Sequence, residues 1–398
     1  MQIPSKKIIF AEKSILMQNK EMKIVYILPV LGKSGGAERI VTEKANYLTE
    51  RFGYDVYIIN MFQQEGSPYF YPLSKLVKII NLGIPYNAQY RYKYPIRLWF
   101  KIKINYNLRK LLSQTVNTIN PDVLIGVSYS NADIVCRIPS TAKKIVECHE
   151  PKSLTMSSIF SGSIVSKVYA KYLYFRTIEN KADIIVTLTK ESISEWKKAK
   201  HVEVIPSFST MFVSNYSDCE QKRIIAVGRL EKEKGYERLI NIWEIISIQH
   251  PEWSLDIFGE GTQSNNLKEI ISNRKIKRVQ IHHATNDISK EYANSSICVL
   301  TSYFEGFALV LLEALKHGVP CIAFDCPYGP ASIIKDNQCG FLIENGNTSL
   351  FIEKLNLLIE NKALRKEFSQ AAIERAKAFD IDVFMKKWKE VFEKICIT

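Results

Sequence analysis

Two glutamates, Glu305 and Glu313, stand in the segment 297–324 (ICVLTSYFEGFALVLLEALKHGVPCIAF), which is the chemically most telling part of the chain. The apolar run 297–300 reads as a strand, and the loop after it holds Glu305 and Gly306. A helical pattern follows, with Glu313 set among Leu311, Leu312, Ala314 and Leu315, until Gly318 and Pro320 stop it and 321–324 forms another strand. A carboxylate among leucines costs several kcal/mol, roughly, unless something hydrogen-bonds it. A helix N-terminus presents free N–H groups to phosphate. The unit therefore predicts a site for a polyhydroxylated, anionic ligand.

Other loops at predicted strand ends carry matching chemistry. Gly228-Arg229 and Lys234-Gly235 follow the strand 223–227, and two cations beside small residues suit a diphosphate. An ordinary charged turn would have the same composition. Gly259-Glu260-Gly261 follows the strand 254–258. Gly35, Gly36 and Ala37, ahead of Glu38, follow the first strand and let backbone approach a phosphate or sugar, although no GxGxxG fingerprint is present and a tight turn explains the loop as well. His149 ends a strand in Glu147-Cys148-His149-Glu150-Pro151. A lone histidine is usually structural, but one at a strand's carboxyl end beside two acids and a proline is less ordinary, with Glu147 or Glu150 as the alternative functional neighbour. His282 and His283 follow another strand, in surface or supporting roles. Asp380-Ile381-Asp382 reads as a helix cap, not a metal motif.

The elements that must position these residues alternate between strand and helix. Strands are predicted at 23–28, 55–61, 77–82, 122–127, 144–147 and 183–188. A second series is predicted at 202–205, 223–227, 254–258, 279–281, 297–300, 319–324 and 340–343. Short, Val/Ile-rich, non-alternating runs between amphipathic helices indicate parallel sheets covered on both faces. Two doubly wound Rossmann-like domains of the α/β class follow, with their boundary in the Ser/Asn-rich stretch 206–221. Beyond about residue 348 the chain turns helical. In the last helix Phe384, Trp388, Val391, Phe392 and Ile395 share one face, which needs a surface to cover.

Composition bounds the function. At 398 residues two domains are the natural division, and 46% hydrophobic content is that of a globular protein. No apolar run is long enough to span a membrane, and residues 1–21 lack the apolar core of a signal peptide. The eight cysteines contain no CxxC pair, which favours buried reduced thiols. Charge is divided unevenly: residues 1–200 carry +15 and residues 201–398 carry −2. Within 67–110 there are nine basic residues and no acidic one, interleaved with Tyr86, Tyr90, Tyr92, Tyr94, Trp99, Phe100 and Tyr106. Such a segment fits an anionic membrane surface or a nucleic acid, or a solvated lysine face over an aromatic core.

In order and spacing, Gly228-Arg229…Lys234-Gly235, Phe258-Gly259-Glu260-Gly261 and Glu305-Gly306-Phe307…Glu313 resemble the donor-binding half of the retaining group-4 glycosyltransferases of GT-B fold. Gly35-Gly36-Ala37-Glu38 is similar to that family's glycine loop. Asp325-Cys326-Pro327-Tyr328-Gly329-Pro330 resembles a loop of members that assemble bacterial surface polysaccharides. The resemblance implies two domains facing a central cleft: an extension at 1–21, an acceptor domain at 22–206, a donor domain at 207–380 and a C-terminal helix at 381–398 that returns to the first domain. It implies that Arg229 and Lys234 neutralise a nucleotide-sugar diphosphate and that Glu313 accepts from the ribose. Glu305 would then bind the transferred sugar, with the backbone N–H groups of Phe307, Ala308 and Leu309 near sugar and phosphate, and His149 near the reaction centre. The implied reaction is hexosyl transfer from a nucleotide sugar, UDP-linked as in most relatives, to a lipid-linked or growing surface-glycan hydroxyl. No metal or other cofactor is expected. An enzyme of this kind would work as a peripheral protein at the cytoplasmic face of the inner membrane, held there through 67–110. The alternatives are a GT-B enzyme of other chemistry, an epimerase or phosphorylase, and a basic nucleic-acid-binding protein; no nucleic-acid motif is present, so no such partner is expected.

Overall fold

A computed structural model describes residues 22–32, 35–93, 96–127, 132–153, 155, 173–285 and 287–397. The expected extension 1–21 and Tyr94 of the basic–aromatic segment lie outside the described residues. The described chain divides into two compact units, one running to Ile205 and resuming at Met385, the other covering Pro206–Phe384.

The first unit holds a seven-stranded sheet of β1 (Lys23–Leu28), β2 (Asp55–Asn60), β3 (Lys78–Asn81), β4 (Val123–Val127), β5 (Lys143–Cys148), β6 (Ile184–Thr187) and β7 (Val202–Val204), in the order β3-β2-β1-β4-β5-β6-β7. Every pairing is parallel. The predicted strand at 202–205 thus forms the edge of the first sheet and does not open the second series. Its partner is β6, because the chain has not yet reached the domain boundary. Helices α1 (Gly36–Phe52), α2 (Ile96–Ile119), α3 (Ala132–Arg137) and α4 (Phe175–Lys181) make the crossovers. The central strands are buried along nearly their whole length, and the pleat sends successive side chains to the two helix-covered faces in turn. Val25, Ile27 and Leu124 share a core with Ile104, Leu108, Leu112 and Val116 of α2. Val146 and Cys148 instead join Phe175 and Ile178 of α4.

The second unit holds β8 (Arg223–Val227), β9 (Ser254–Phe258), β10 (Val279–His282), β11 (Ile297–Leu300), β12 (Cys321–Asp325) and β13 (Gly340–Glu344), parallel throughout and ordered β10-β9-β8-β11-β12-β13. Its helices are α5 (Tyr236–Gln249), α6 (Ser264–Asn273), α7 (Ile288–Ala293), α8 (Leu309–Lys316), α9 (Pro330–Ile333), α10 (Thr348–Glu360) and α11 (Lys362–Lys377). Trp243 and Ile246 of α5 and Phe351 and Leu355 of α10 pack with Ile224, Leu255 and Phe324 of the sheet. Both units are Rossmann-like. In each, the strand order reverses once, between β1 and β4 and between β8 and β11, and such a reversal is where α/β sheets bind ligands.

The last helix, α12 (Ile381–Ile397), buries Phe384, Trp388, Val391, Phe392 and Ile395, as its apolar spacing predicts. From Met385 onward it belongs with the first unit. Phe392 meets Tyr54 with ring centroids 6.4 Å apart, and Lys394 pairs with Glu203 at 3.1 Å. The segment Asp380–Asp382 lies at the start of this helix, with Asp380 3.9 Å from Lys316, and among the described residues no group of His, Cys, Asp or Glu is placed to hold a metal ion.

Candidate active site

The carboxyl ends of β8, β9 and β11 are welded together by backbone contact. Gly228 donates to Phe258 O at 3.0 Å and Leu230 donates to Glu260 O at 2.8 Å, so the β8 and β9 loops run against each other. Gly259 has φ +155°, and a side chain there would strike the carbonyl of Gly228; only glycine fits this approach. Gly235 has φ +66° and abuts the carbonyl of Thr301, which joins the β8 loop to the β11 loop. Thr301 Oγ1 adds a bond to Gly235 O at 3.1 Å, and Tyr303 N reaches Glu233 O at 2.8 Å. The glycines therefore set the spacing between loops whose side chains carry the charge.

Within that frame Lys234 Nζ donates to both oxygens of Glu305, at 2.8 Å each. Ser302 Oγ donates to Glu305 Oε1 at 2.5 Å. Glu305 is 6% exposed and Lys234 19%, so the pair is largely withdrawn from water. Arg229 behaves differently. Its side chain is 72% exposed and bonds Glu233 at 3.1 Å, so the fold does not gather it with Lys234 and Glu305.

Gly306 and Phe307 lead into α8, whose first residue is Leu309. Ala308 immediately before it is buried with φ 59° and ψ 54°, a left-handed conformation unusual for alanine. Such a conformation costs about 1–3 kcal/mol and persists only where the surroundings hold it. Glu313 is the fifth residue of α8 and buried, which removes the explanation that it is merely a first-turn acid favoured by the helix dipole. Tyr292 of α7 lies within reach of Glu313 Oε2 at 3.3 Å and of Val310 O at 3.2 Å. Burial first, and then the Glu313 charge, push the Tyr292 hydroxyl well above its ordinary pKa, so it stays protonated and can donate.

Gly259, Glu260 and Gly261 line a cavity of about 280 Å³ together with Lys268, His282 and His283. His283 is exposed beside Glu260 at 3.2 Å. His282 is one-third exposed, stacks on Phe258 at 4.5 Å and pairs through Nε2 with Asp256, which Arg223 also holds at 2.8 Å.

In the first unit, Gly35 caps α1, so Gly36 and Ala37 begin the helix directly beyond β1. His149 follows β5 with its side chain 11% exposed, and its Nε2 lies 3.4 Å from Glu147 Oε1. The other Glu147 oxygen receives a bond from Lys44 Nζ at 2.5 Å, and both of these residues are buried. Lys44 also sits over the Trp388 ring at 3.4 Å and over Tyr26 at 5.1 Å. Lys44 and Arg238 are the residues that sequence reasoning missed. Lys44 was detectable as a lysine inside the apolar stripe of Ile40, Val41, Ala45 and Leu48. Arg238 gave no such signal; it braces the β11 loop through the carbonyls of Thr301 and Ser302 and stacks on Phe324 at 4.1 Å.

The sequence model of the family described as "Glycosyl transferases group 1" matches residues 177–375. The chain belongs to this family. The group 1 match takes in all the loops just described in the second unit. A glycosyltransferase of Haemophilus influenzae described as uncharacterized is 28% identical over 93% of this chain and 99% of its own length. The amylovoran biosynthesis glycosyltransferase AmsD of Erwinia amylovora is 26% identical over the same shares of the two chains. Among solved structures, Anabaena HepE in complex with UDP and glucose superposes with a TM-score of 0.70, covering 94% of this chain and 100% of its own, at 16% identity. That structural likeness is one of fold, and it makes the two Rossmann-like units those of the GT-B fold.

Proposed function

We propose that this group 1 glycosyltransferase moves a hexosyl unit, with retention of anomeric configuration, from a UDP-linked sugar to a hydroxyl of a lipid-linked or growing surface-glycan acceptor. The Lys234–Glu305–Ser302 cluster carries this reading. A buried carboxylate serves to bind sugar hydroxyls, and an ammonium beside it serves to meet the leaving diphosphate. As the anomeric C–O bond breaks, its electron pair stays on the phosphate oxygen, and Lys234 with the exposed Arg229 stabilises that charge. The acceptor oxygen bonds to the anomeric carbon from the same face, and its proton passes to the departing phosphate. Glu313 accepts from the ribose, the N–H groups of Phe307, Ala308 and Leu309 serve the phosphate and sugar, and His149 contacts the transferred sugar. The nucleotide is inferred from HepE, which binds UDP and glucose, and the glycan class from the name of AmsD.

No divalent cation enters this scheme, because Lys234 and Arg229 supply the positive charge. Full turnover in excess EDTA is expected, and a loss that manganese restores would overturn that part.

The acceptor side rests on α2 and the turn before it. Ile96, Trp99, Ile102 and Tyr106 are exposed on α2, between Arg97, Lys101, Lys103, Arg109 and Lys110. Lys103 lies 5.1 Å over the Trp99 ring and Arg97 4.4 Å over Tyr90. A helix with exposed aromatic and basic side chains fits the surface of an anionic bilayer, where each Lys or Arg contributes about 1 kcal/mol. These side chains support work at an anionic membrane surface, which we take to be the cytoplasmic face of the inner membrane. Among the described residues no helix is long and apolar enough to cross a membrane.

The deciding experiment is a thermal-shift panel of UDP, UDP-glucose, UDP-galactose and UDP-N-acetylglucosamine against duplex DNA and RNA. A ligand at a hundredfold its Kd stabilises by ~2.7 kcal/mol, so a specific donor raises Tm by several degrees. A shift with nucleic acid and none with UDP compounds would sink the proposal.

A further inference from the structure

The mechanism above uses His149 but not the two buried charges behind it. Glu147 is the penultimate residue of β5 and His149 directly follows the strand's last residue, and their side chains meet, with His149 Nε2 3.4 Å from Glu147 Oε1. Val146 and Cys148 pack into the α4 core. Glu147 Oε2 is taken by Lys44 of α1, whose Nζ lies 3.4 Å over the Trp388 ring of α12. The second oxygen, Oε1, is left to face His149 Nε2 at 3.4 Å. That ring nitrogen is buried and makes no hydrogen bond among the described residues. A buried nitrogen facing a fixed carboxylate oxygen, just beyond hydrogen-bond length, is a contact that tightens when a ligand seats the ring.

We propose that Glu147 is a positioning residue for His149, and that Lys44 holds Glu147 in place for it. This rests on the reading of His149 as a residue that meets the transferred sugar. Glu147 Oε1 accepts from Nε2–H, which in a neutral imidazole selects the Nε2–H tautomer and turns Nδ1 into the acceptor offered to a sugar hydroxyl. Lys44 does more than balance charge. It comes from the helix that starts at the glycine loop and is covered by the C-terminal helix, so three elements fix one imidazole.

A buried ion pair could also be a structural staple with no bearing on the ring. Lys44→Met combined with Glu147→Leu separates the two roles, because replacing a buried pair by apolar groups of similar size is often neutral or stabilising. The protein is labelled with 15N-histidine, and the tautomer of His149 is read by NMR without ligand. Release of UDP from UDP-glucose, UDP-galactose and UDP-N-acetylglucosamine is measured in parallel. The expected wild-type signal is the Nε2–H tautomer, giving way to a mixture in the double variant. Turnover of the double variant falls about ten- to a hundredfold at unchanged donor KM, and adding His149→Ala costs nothing further. An Nδ1–H ring in the wild type overturns the inference. So does a double variant with wild-type tautomer and turnover while His149→Ala alone is slow. Wild-type turnover in His149→Ala overturns this inference and the role of His149 together. If the tautomer responds as expected but no UDP compound binds or reacts, the positioning stands and the donor reading falls.

Discussion

Lys234 and Glu305, 71 positions apart in the chain, form a two-point ion pair with both contacts at 2.8 Å, at the reversal of strand order between β8 and β11. In the proposed scheme the pair is half prepared for its ligand: Ser302 fixes one oxygen of Glu305, and the lysine, on a glycine-ended turn, would turn to meet the phosphate.

Removing either partner should therefore affect turnover more than folding. Lys234→Ala is expected to lower kcat by about a hundred- to a thousandfold, the usual effect of losing one group that stabilises developing charge. Glu305→Gln keeps the shape and one acceptor, and should lower kcat less than Glu305→Ala. Steady-state kinetics with Tm as the folding control checks both, and near wild-type kcat in Lys234→Ala would refute the assignment.

Glu313 and Tyr292 predict a different kinetic signature. A hydrogen bond to a charged group is worth about 1.5–3 kcal/mol, so Glu313→Gln should weaken UDP binding by roughly ten- to a hundredfold. Tyr292→Phe leaves the carboxylate but removes the hydroxyl that faces it, and should weaken UDP binding by a smaller factor. Isothermal titration with UDP measures both; equal affinity in wild type and Glu313→Gln would exclude a ribose contact.

The Lys44–Glu147 pair predicts a dependence on acid. Burial pushes the Glu147 carboxyl up, but Lys44 and His149 outweigh it and hold its pKa at about 2, against 4.5 in the unfolded chain. Burial lowers Lys44 to about 8, so it remains charged through the acid range, with Tyr26 and Trp388 as its uncharged neighbours. A depressed carboxylate pKa gives stability that is fully present above pH 4.5 and is lost as pH falls through 2. The difference amounts to about 3 kcal/mol. Urea unfolding from pH 6 to pH 2 should show the wild type losing that much more than Lys44→Met/Glu147→Leu; parallel curves would contradict it.

The outer face of α2 predicts a surface effect without a folding effect. Trp99, Ile102 and Tyr106 are 57%, 61% and 67% exposed, so changing all three to serine should leave the fold nearly as stable as before. Flotation with phosphatidylglycerol vesicles should be strong for the wild type and weak for the triple variant, with neither floating on phosphatidylcholine. Equal flotation on both lipids would remove the anionic surface as partner.

Much of this protein was legible in local pattern. Each strand of both sheets appears within two residues of its expected place, because a fully buried parallel strand is a short Val/Ile run that little else imitates. The glycines at 235 and 259 could be read because loops in backbone contact admit no side chain. Glu313 stood out as a carboxylate in an apolar stripe, and Lys44 carried the same signal on α1. Which charges meet was not legible. Lys234 with Glu305, and Lys44 with Glu147 103 positions away, depend on which strands become neighbours, and β1 lies beside β4 only because the first crossovers place β2 and β3 on its other side. Residue spacing along the chain determined the elements and the kinds of chemistry at their ends. The tertiary structure alone decided that Arg229 faces solvent while Lys234 is held against Glu305, because strand order and helix packing set the burial that makes one charge need a partner and leaves the other to water.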